Sequence, residues 1–300
     1  MERKRLLIVG CGDVARRALP QWLGRYDVAA LVRSPDPVLA ASGVRLYAGD
    51  LDQPETLAQL AGAADLIVHA APPPQAGPQD VRTRNLLAVL GQSQNLSQKG
   101  RAMLPQRVVY ISTSGVYGDC GGDYVAESRP VNAQTDRAGR RVDAETVLSR
   151  WCADRGIALV ILRVPGIYAA DRLPLEQLRR GTPVLAAEDD VYTNHIHADD
   201  LAAILTVTVG LSHAQGAYNA SDDSEMKMGD YFDLVADRMG LPRPPRVRRA
   251  EAAGRISPVL LSYVSESRRL VNRRMKAELG IRLRYQTVFQ GVPRAESLAS

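Results

Sequence analysis

"RLLIVGCGDVA", Arg5 to Ala15, is the stretch whose reading decides the fold. Four apolar residues, Leu6 to Val9, run into Gly10, and Gly12 and Ala15 complete a G-x-G-x-x-A pattern. The apolar run predicts a buried first strand. "DVARRALPQWLG" after it has helical spacing, and Pro20 is expected to kink or shorten that helix. At such a turn Gly10 permits the sharp reversal, Gly12 lets a pyrophosphate approach the backbone, and Ala15 keeps helix and sheet close. The helix start at Asp13 and Val14 then offers unpaired N–H groups and the positive end of its dipole to phosphate. Alone the pattern is weak; between a strand and a helix at the head of a βαβ unit it has its confirming context.

The alternation continues outward. "DVAALVRS", "GVRLYAGD", "ADLIVHAAP", "RVVYISTS" and "ALVILRVPG" read as five further strands. "QPETLAQLAG" reads as a short helix, and longer ones are expected from about Pro78 to Gln98 and from Arg137 to Arg155. Strands this apolar are buried on both faces, and helices between them force parallel pairing. The fold class is therefore α/β, a doubly wound parallel Rossmann sheet with ligands at the carboxyl ends of its strands. After Pro165 helices and short strands mix and prolines collect in "LPRPPRV". Residues 1–163 are expected to form the NAD(P)-binding domain. Residues 164–300 are expected to form a smaller, mixed C-terminal substrate lobe, interleaved with the first domain across a soft boundary.

Composition narrows the function classes. The 300 residues are 45% hydrophobic, enough for a substantial core. The longest clean apolar run, Leu201 to Leu211, is shorter than the about 20 residues a membrane helix needs. The apolar part of the N-terminus is too short for a secretory signal. Cys11, Cys120 and Cys152 show neither a disulfide framework nor metal-ligand spacing, which points to a reducing cytosol. The net charge is +5, and Leu241 to Tyr285 holds twelve Arg or Lys against three Glu. No RNA-binding or zinc-finger pattern accompanies the basic stretch, so a solvated face or an attraction for phosphorylated ligands is expected, not nucleic acid.

The end of the second strand bears on the cofactor. An NAD site places Asp or Glu there to hold the ribose 2′-hydroxyl. This chain has "LVRSPDP", with Arg33 and Ser34. A guanidinium pairs with a 2′-phosphate and accepts no hydroxyl proton, so NADP is expected ahead of NAD. Asp36 is a competing acceptor if it folds back toward the ribose.

In this order the segments resemble the extended short-chain dehydrogenases/reductases, specifically the NAD-dependent epimerase/dehydratase group, over most of the chain. "GDLDQPETL" is similar to that family's adenine-contacting turn, at Asp50 and Leu51. "VHAAPPP" is similar to its strand-four segment, which puts Ala70, Ala71 and Pro72 beside the cofactor. "YISTSGVYGD" places Thr113 at the catalytic Ser/Thr position, with Tyr117 four residues later. "LRVPGIYA", "NHIHADDLAAI", "AYNASDD" and "SRRLVNRRMKAELG" follow with the family's later segments.

One departure matters. The positions of the family's catalytic tyrosine and lysine fall on Arg137 and Arg141 in "TDRAGRRVDAE", and no lysine of the chain has a tyrosine four residues before it. The resemblance implies a tyrosine acting as acid or base and a lysine that lowers its pKa and holds the nicotinamide ribose. Arg141 is able to take the second task, being a permanent cation rich in donors. Arg137 cannot take the first, because a guanidinium does not exchange protons near neutral pH. Three resolutions follow. An atypical oxidoreductase or epimerase/dehydratase-like enzyme would draw its proton from Tyr117, Tyr124 or water while Thr113 orients a carbonyl. A catalytically silent NADP(H)-binding sensor would keep the cofactor half alone. Or the arginines bind an anionic substrate, such as a sugar nucleotide or another anionic carbonyl compound. A homodimer through the helices near Asp80 and Asp143 is expected from the resemblance.

Minor signals have plainer readings. His195 and His197 lie on one face of a strand without a third ligand, so no metal is expected. Asp199 and Asp200 are expected to cap the helix after them. Cys11 sits where a helix dipole would lower its pKa, but an inert small residue is expected there ahead of a redox switch.

Overall fold

The computed structural model describes residues 2–92 and 104–298. It resolves into two compact units. The first comprises residues 1–116, 136–163 and 201–218; the second comprises 117–135, 164–200 and 219–300.

In the first unit, β1 (Arg5–Val9), β2 (Asp27–Val32), β3 (Arg45–Ala48), β4 (Leu66–His69), β5 (Arg107–Thr113), β6 (Ala158–Val164) and β7 (Gly216–Asn219) form one seven-stranded sheet in the order β7-β6-β5-β4-β1-β2-β3. β1 pairs in parallel with β2 and β4, as β2 does with β3 and β4 with β5. The chain winds one way from β1 through β3 and the other way from β4 onward, so the switch point lies between β1 and β4. Register aligns their ends: Val9 faces both Leu31 and His69. Gly10, Val32 and Ala70 therefore emerge side by side. His69 faces Tyr110, so β5 carries Thr113 three residues further along.

Four helices serve this sheet: α1 (Asp13–Leu23), α2 (Pro37–Ala41), α3 (Val81–Gln92) and α4 (Asp136–Ala153). The α1 helix continues three residues past Pro20, which neither ends nor shortens it. Its inner face of Val14, Ala15, Ala18, Leu19 and Trp22 is buried, and that packing outweighs one missing N–H. The "QPETLAQLAG" segment is a 3₁₀ turn over Pro54–Leu60. The part of the helix expected after Gln92 lies outside the described residues. Leu6 to Val9 are wholly buried, each contributing about 1.5–3 kcal/mol by transfer from water.

Buried arginines lock the unit together. Arg107 donates to the carbonyls of Thr208, Ser212 and Ala214, around the C-terminus of the Ala198–Gly210 helix. Arg163 of β6 pairs with Glu145 of α4 at 2.8 Å, and the Ser112 hydroxyl of β5 donates to the same carboxylate at 2.5 Å. This buried pair ties α4 to two strands.

The second unit packs Tyr168, Leu178, Val184, Tyr231, Phe232 and Val235 into one core and Leu185, Val191, Val247 and Ile256 into another. His195 and His197 lie on the His195–His197 strand among Tyr168, Tyr231 and Tyr285. Asp200 caps nothing: the helix starts before it, at Ala198, and its carboxylate accepts from the backbone N–H groups of Arg284 and Tyr285. Asp199 also lies within the first turn, where its own N–H donates to His197 Nδ1. The basic stretch is largely matched locally: Arg243 with Asp237, Arg246 with Asp233, Arg248 with Glu188, and Lys276 with Asp223.

Candidate functional site

The glycine turn has the geometry its sequence implied. Gly10 has φ +92°, and a Cβ there would stand 2.4 Å from the Ala71 backbone nitrogen. No other residue fits so close a crossing at positive φ. Gly12 is the N-cap of α1, has no side-chain cap and has nothing within 4 Å of an added Cβ. The helix therefore opens onto free space with its N–H groups uncapped, the arrangement that receives phosphate.

A cavity of about 380 Å³ lies in front of this turn. Gly10, Gly12, Arg33, Ser34, Asp50, Leu51, Ala70, Ala71 and Pro72 all line it. Asp13 and Val14 do not. Asp13 pairs with Arg17 one turn along at 2.9 Å, and Val14 is buried in the α1 packing; only their backbone lies at the helix start.

The cavity also contains two arginines that sequence reading passed over, Arg16 and Arg82. Arg16 stands one turn beyond Gly12, a spacing visible in the sequence. Arg82 arrives from α3 and has no local signal. Both are neutralised. Arg82 pairs with Asp52 at 2.6 Å, and this hydrogen bond holds the Asp52 carboxyl below its usual range. Arg16 pairs with Asp36, whose other oxygen accepts from the Leu39 N–H at 2.9 Å. The N-cap bond first, and Arg16 second, lower the Asp36 pKa. Both oxygens of Asp36 are thus engaged in capping α2 and holding Arg16, which answers the concern that it turns toward the ribose. Arg33 is exposed and makes no hydrogen bond or ion pair among the described residues. Cys11 also lines the cavity, but burial pushes its thiol up to about 11, against any lowering by the dipole.

A second cavity, of about 410 Å³, adjoins Pro72 and runs along Pro73, Pro74 and Gln75. Thr113 lines it from the end of β5, and Arg137, Arg140 and Arg141 line it from α4. The Thr113 Oγ accepts from the Gly115 N–H at 3.2 Å, which leaves its proton to donate. Arg141 Nη1 donates to the Ile111 carbonyl at 2.8 Å and to the Tyr110 hydroxyl at 3.0 Å, so the guanidinium is anchored on β5. Burial pushes the Tyr110 phenol up to about 12. Beneath lies His69, held down to about 3 by burial and by Arg141. Its Nε2 shares a 2.8 Å bond with Thr83, whose hydroxyl donates to Asp80. The His69 imidazole is therefore neutral and is the donor to Thr83. Arg140 was not singled out by sequence. The signal was present, since positions 137, 140 and 141 share a helix face.

Tyr117, the expected proton donor, has another task. It belongs to the second unit, as does Asn219 at the very end of β7; it is 1% exposed, and its hydroxyl donates to Asn219 Oδ1 at 2.8 Å. Asn219 Nδ2 donates to the carbonyls of Val125 and Val271, which fixes the amide so that its oxygen faces the phenol. The Tyr117 proton is committed to a buried structural bond. Tyr124, the other tyrosine considered, donates its hydroxyl to Glu225 at 2.7 Å, and that bond raises its pKa.

Comparison with known proteins places this geometry. Among curated proteins, none matches the chain. Of solved structures, a functionally unknown conserved protein from Silicibacter pomeroyi is 28% identical, with a TM-score of 0.76 and 98% of each chain covered. The UDP-glucose 4-epimerase of Thermus thermophilus, solved with NAD, is 19% identical at a TM-score of 0.75, again over 98% of both chains. MoeE5, solved with UDP-glucuronic acid and NAD, is 19% identical at a TM-score of 0.74, over 98% of this chain and 99% of that one. The last two show a shared fold. The NAD dependent epimerase/dehydratase family matches residues 6–220, most of the chain, and takes in the seven-stranded sheet from Leu6 onward; the protein belongs to that family.

Proposed function

We propose that the chain binds a nicotinamide dinucleotide in the glycine-turn cavity and acts as an atypical oxidoreductase or epimerase/dehydratase-like enzyme on an anionic carbonyl compound or sugar nucleotide. The observation that carries this reading is the contact of Gly10 with Ala71, which shapes a backbone cradle in front of an uncapped helix. Gly10, Gly12 and the start of α1 at Asp13 and Val14 would hold the pyrophosphate, Asp50 and Leu51 the adenine side, and Ala70, Ala71 and Pro72 the nicotinamide side. The preference is for NADP(H). With Asp36 occupied and Arg33 unpaired, the end of β2 offers a cation and a hydroxyl at Ser34 and lacks a free carboxylate.

When bound, the cofactor supplies or takes up hydride. The chain's own residues orient the substrate: Thr113 donates to its oxygen, Arg141 supplies fixed positive charge, and water delivers the proton. The relatives solved with NAD support the dinucleotide and leave the choice of NADP to the arginines. We also propose a homodimer through α3 and α4, and no nucleic-acid or membrane partner. The arginines of the basic stretch are largely matched by local carboxylates, and among the described residues no helix is long and apolar enough to cross a membrane.

The test is calorimetric titration with NADPH, NADP, NADH and NAD, repeated on Arg33→Asp. The parent is expected to prefer the phosphorylated forms, and the variant to lose at least about tenfold of that preference, a change of ~1.4 kcal/mol. Equal affinities in the parent would remove the NADP preference. A second reading, a catalytically silent NADP(H) sensor, is favoured by one observation: the side chains lining the second cavity include none that exchanges protons near neutral pH. NADPH consumption across carbonyl and sugar-nucleotide substrates separates the two readings.

A further inference from the structure

Among the described residues the first unit buries three arginines, and two of them are satisfied. Arg107 spends its donors on three carbonyls, and Arg163 is matched by Glu145. Arg140 is not. It is 6% exposed, makes one hydrogen bond, from Nη1 to the Gly77 carbonyl at 2.8 Å, and has no carboxylate partner among the described residues. Its Nε is buried without an acceptor. A guanidinium has five donors and stays charged at any working pH, and a buried charge without a counter-ion is costly. Yet this charge lines the second cavity, whose walls carry Arg137 and Arg141 and, among the described residues, no Asp or Glu.

We infer that Arg140 is the anchor of an oxyanion subsite that takes the carboxylate or phosphate group of a compact substrate, beside the reacting oxygen held by Thr113. Arg137 and Arg141 supply the rest of the positive field. The inference rests on the proposed enzymatic reading and narrows it. The anion is recognised where the family resemblance implied a tyrosine and a lysine, so the substrate carries its charge close to the reacting carbon. Planar carboxylates and tetrahedral phosphates both match a guanidinium fork, and both share the chemistry named.

The test is calorimetric titration with inorganic phosphate and with oxalate, on the protein alone and on the protein saturated with NADPH, for the parent, Arg140→Gln and Arg137→Gln. The parent is expected to bind one anion in the presence of NADPH. Arg140→Gln is expected to weaken it at least about tenfold while NADPH affinity stays within twofold. The better of the two anions identifies phosphate or carboxylate as the substrate group. Arg137→Gln, altered on the exposed part of the helix, is expected to weaken the anion by a smaller factor and decides the matter if Arg140→Gln does not fold. Equal anion affinity in parent and variants overturns the subsite. Loss of anion binding on saturation with NADPH also overturns it, since the anion would then occupy the cofactor's phosphate position. Failure of NADPH to bind the parent removes the cofactor reading instead, and the titrations without NADPH still judge Arg140.

Discussion

The two cavities at the strand ends of the first unit are built from opposite logic. The glycine-turn cavity is backbone chemistry. Its defining contacts are a Cβ-free crossing at Gly10 and the N–H groups of a helix start, and most of its arginines are neutralised by Asp36 and Asp52. The α4 cavity is side-chain chemistry: three arginines and one hydroxyl line it, with no carboxylate in the wall among the described residues. Backbone sites tolerate little and change slowly in character, because geometry admits only glycine. Side-chain sites change chemistry by one substitution on an unchanged helix. The family's architecture can therefore persist at β1 while α4 carries something other than a proton-transferring pair.

The largest expected effect tests whether α4 is held independently of what lines it. Glu145→Ala removes the buried carboxylate that pairs with Arg163 and accepts from Ser112. It is expected to cost about 3–5 kcal/mol in urea unfolding. A cost below about 1 kcal/mol would mean that the pair does not anchor the helix. Next, Gly10→Ala forces a side chain at positive φ into the Ala71 backbone. NADPH affinity is expected to fall at least about a hundredfold, ~2.7 kcal/mol, while phosphate binding in the α4 cavity persists. Joint loss of both would make the two cavities one site. The smallest effect concerns Tyr117→Phe, which orphans the buried oxygen of Asn219. It is expected to lower stability by about 1–2 kcal/mol with turnover, where a substrate is found, within twofold of the parent. A hundredfold drop in turnover at unchanged stability would restore the phenol as the acid.

The strands were legible because each is an apolar run buried on both faces, and the glycine turn because its spacing encodes a steric requirement. Less of the site was legible. Arg82 enters the first cavity from α3, thirty positions away from its partner Asp52, and no local pattern announces it. Asp36 stood as a competing ribose acceptor until its two oxygens were seen to be occupied, one by the Leu39 N–H and one by Arg16. Tyr117 stands at a family position four residues after Thr113, yet its hydroxyl direction depends on Asn219, about a hundred residues later.

By itself, then, the order of residues determined the doubly wound sheet, the tight glycine turn before an uncapped helix, and the absence of a Tyr-x-x-x-Lys pair. These depend on periodicity, on backbone sterics and on residue identity, all local in the chain. Only the tertiary structure decided which charges are cancelled. Whether an arginine is a structural clamp, as Arg107 and Arg163 are, or an open cation, as Arg140 is, depends on partners that long-range packing brings to it or withholds.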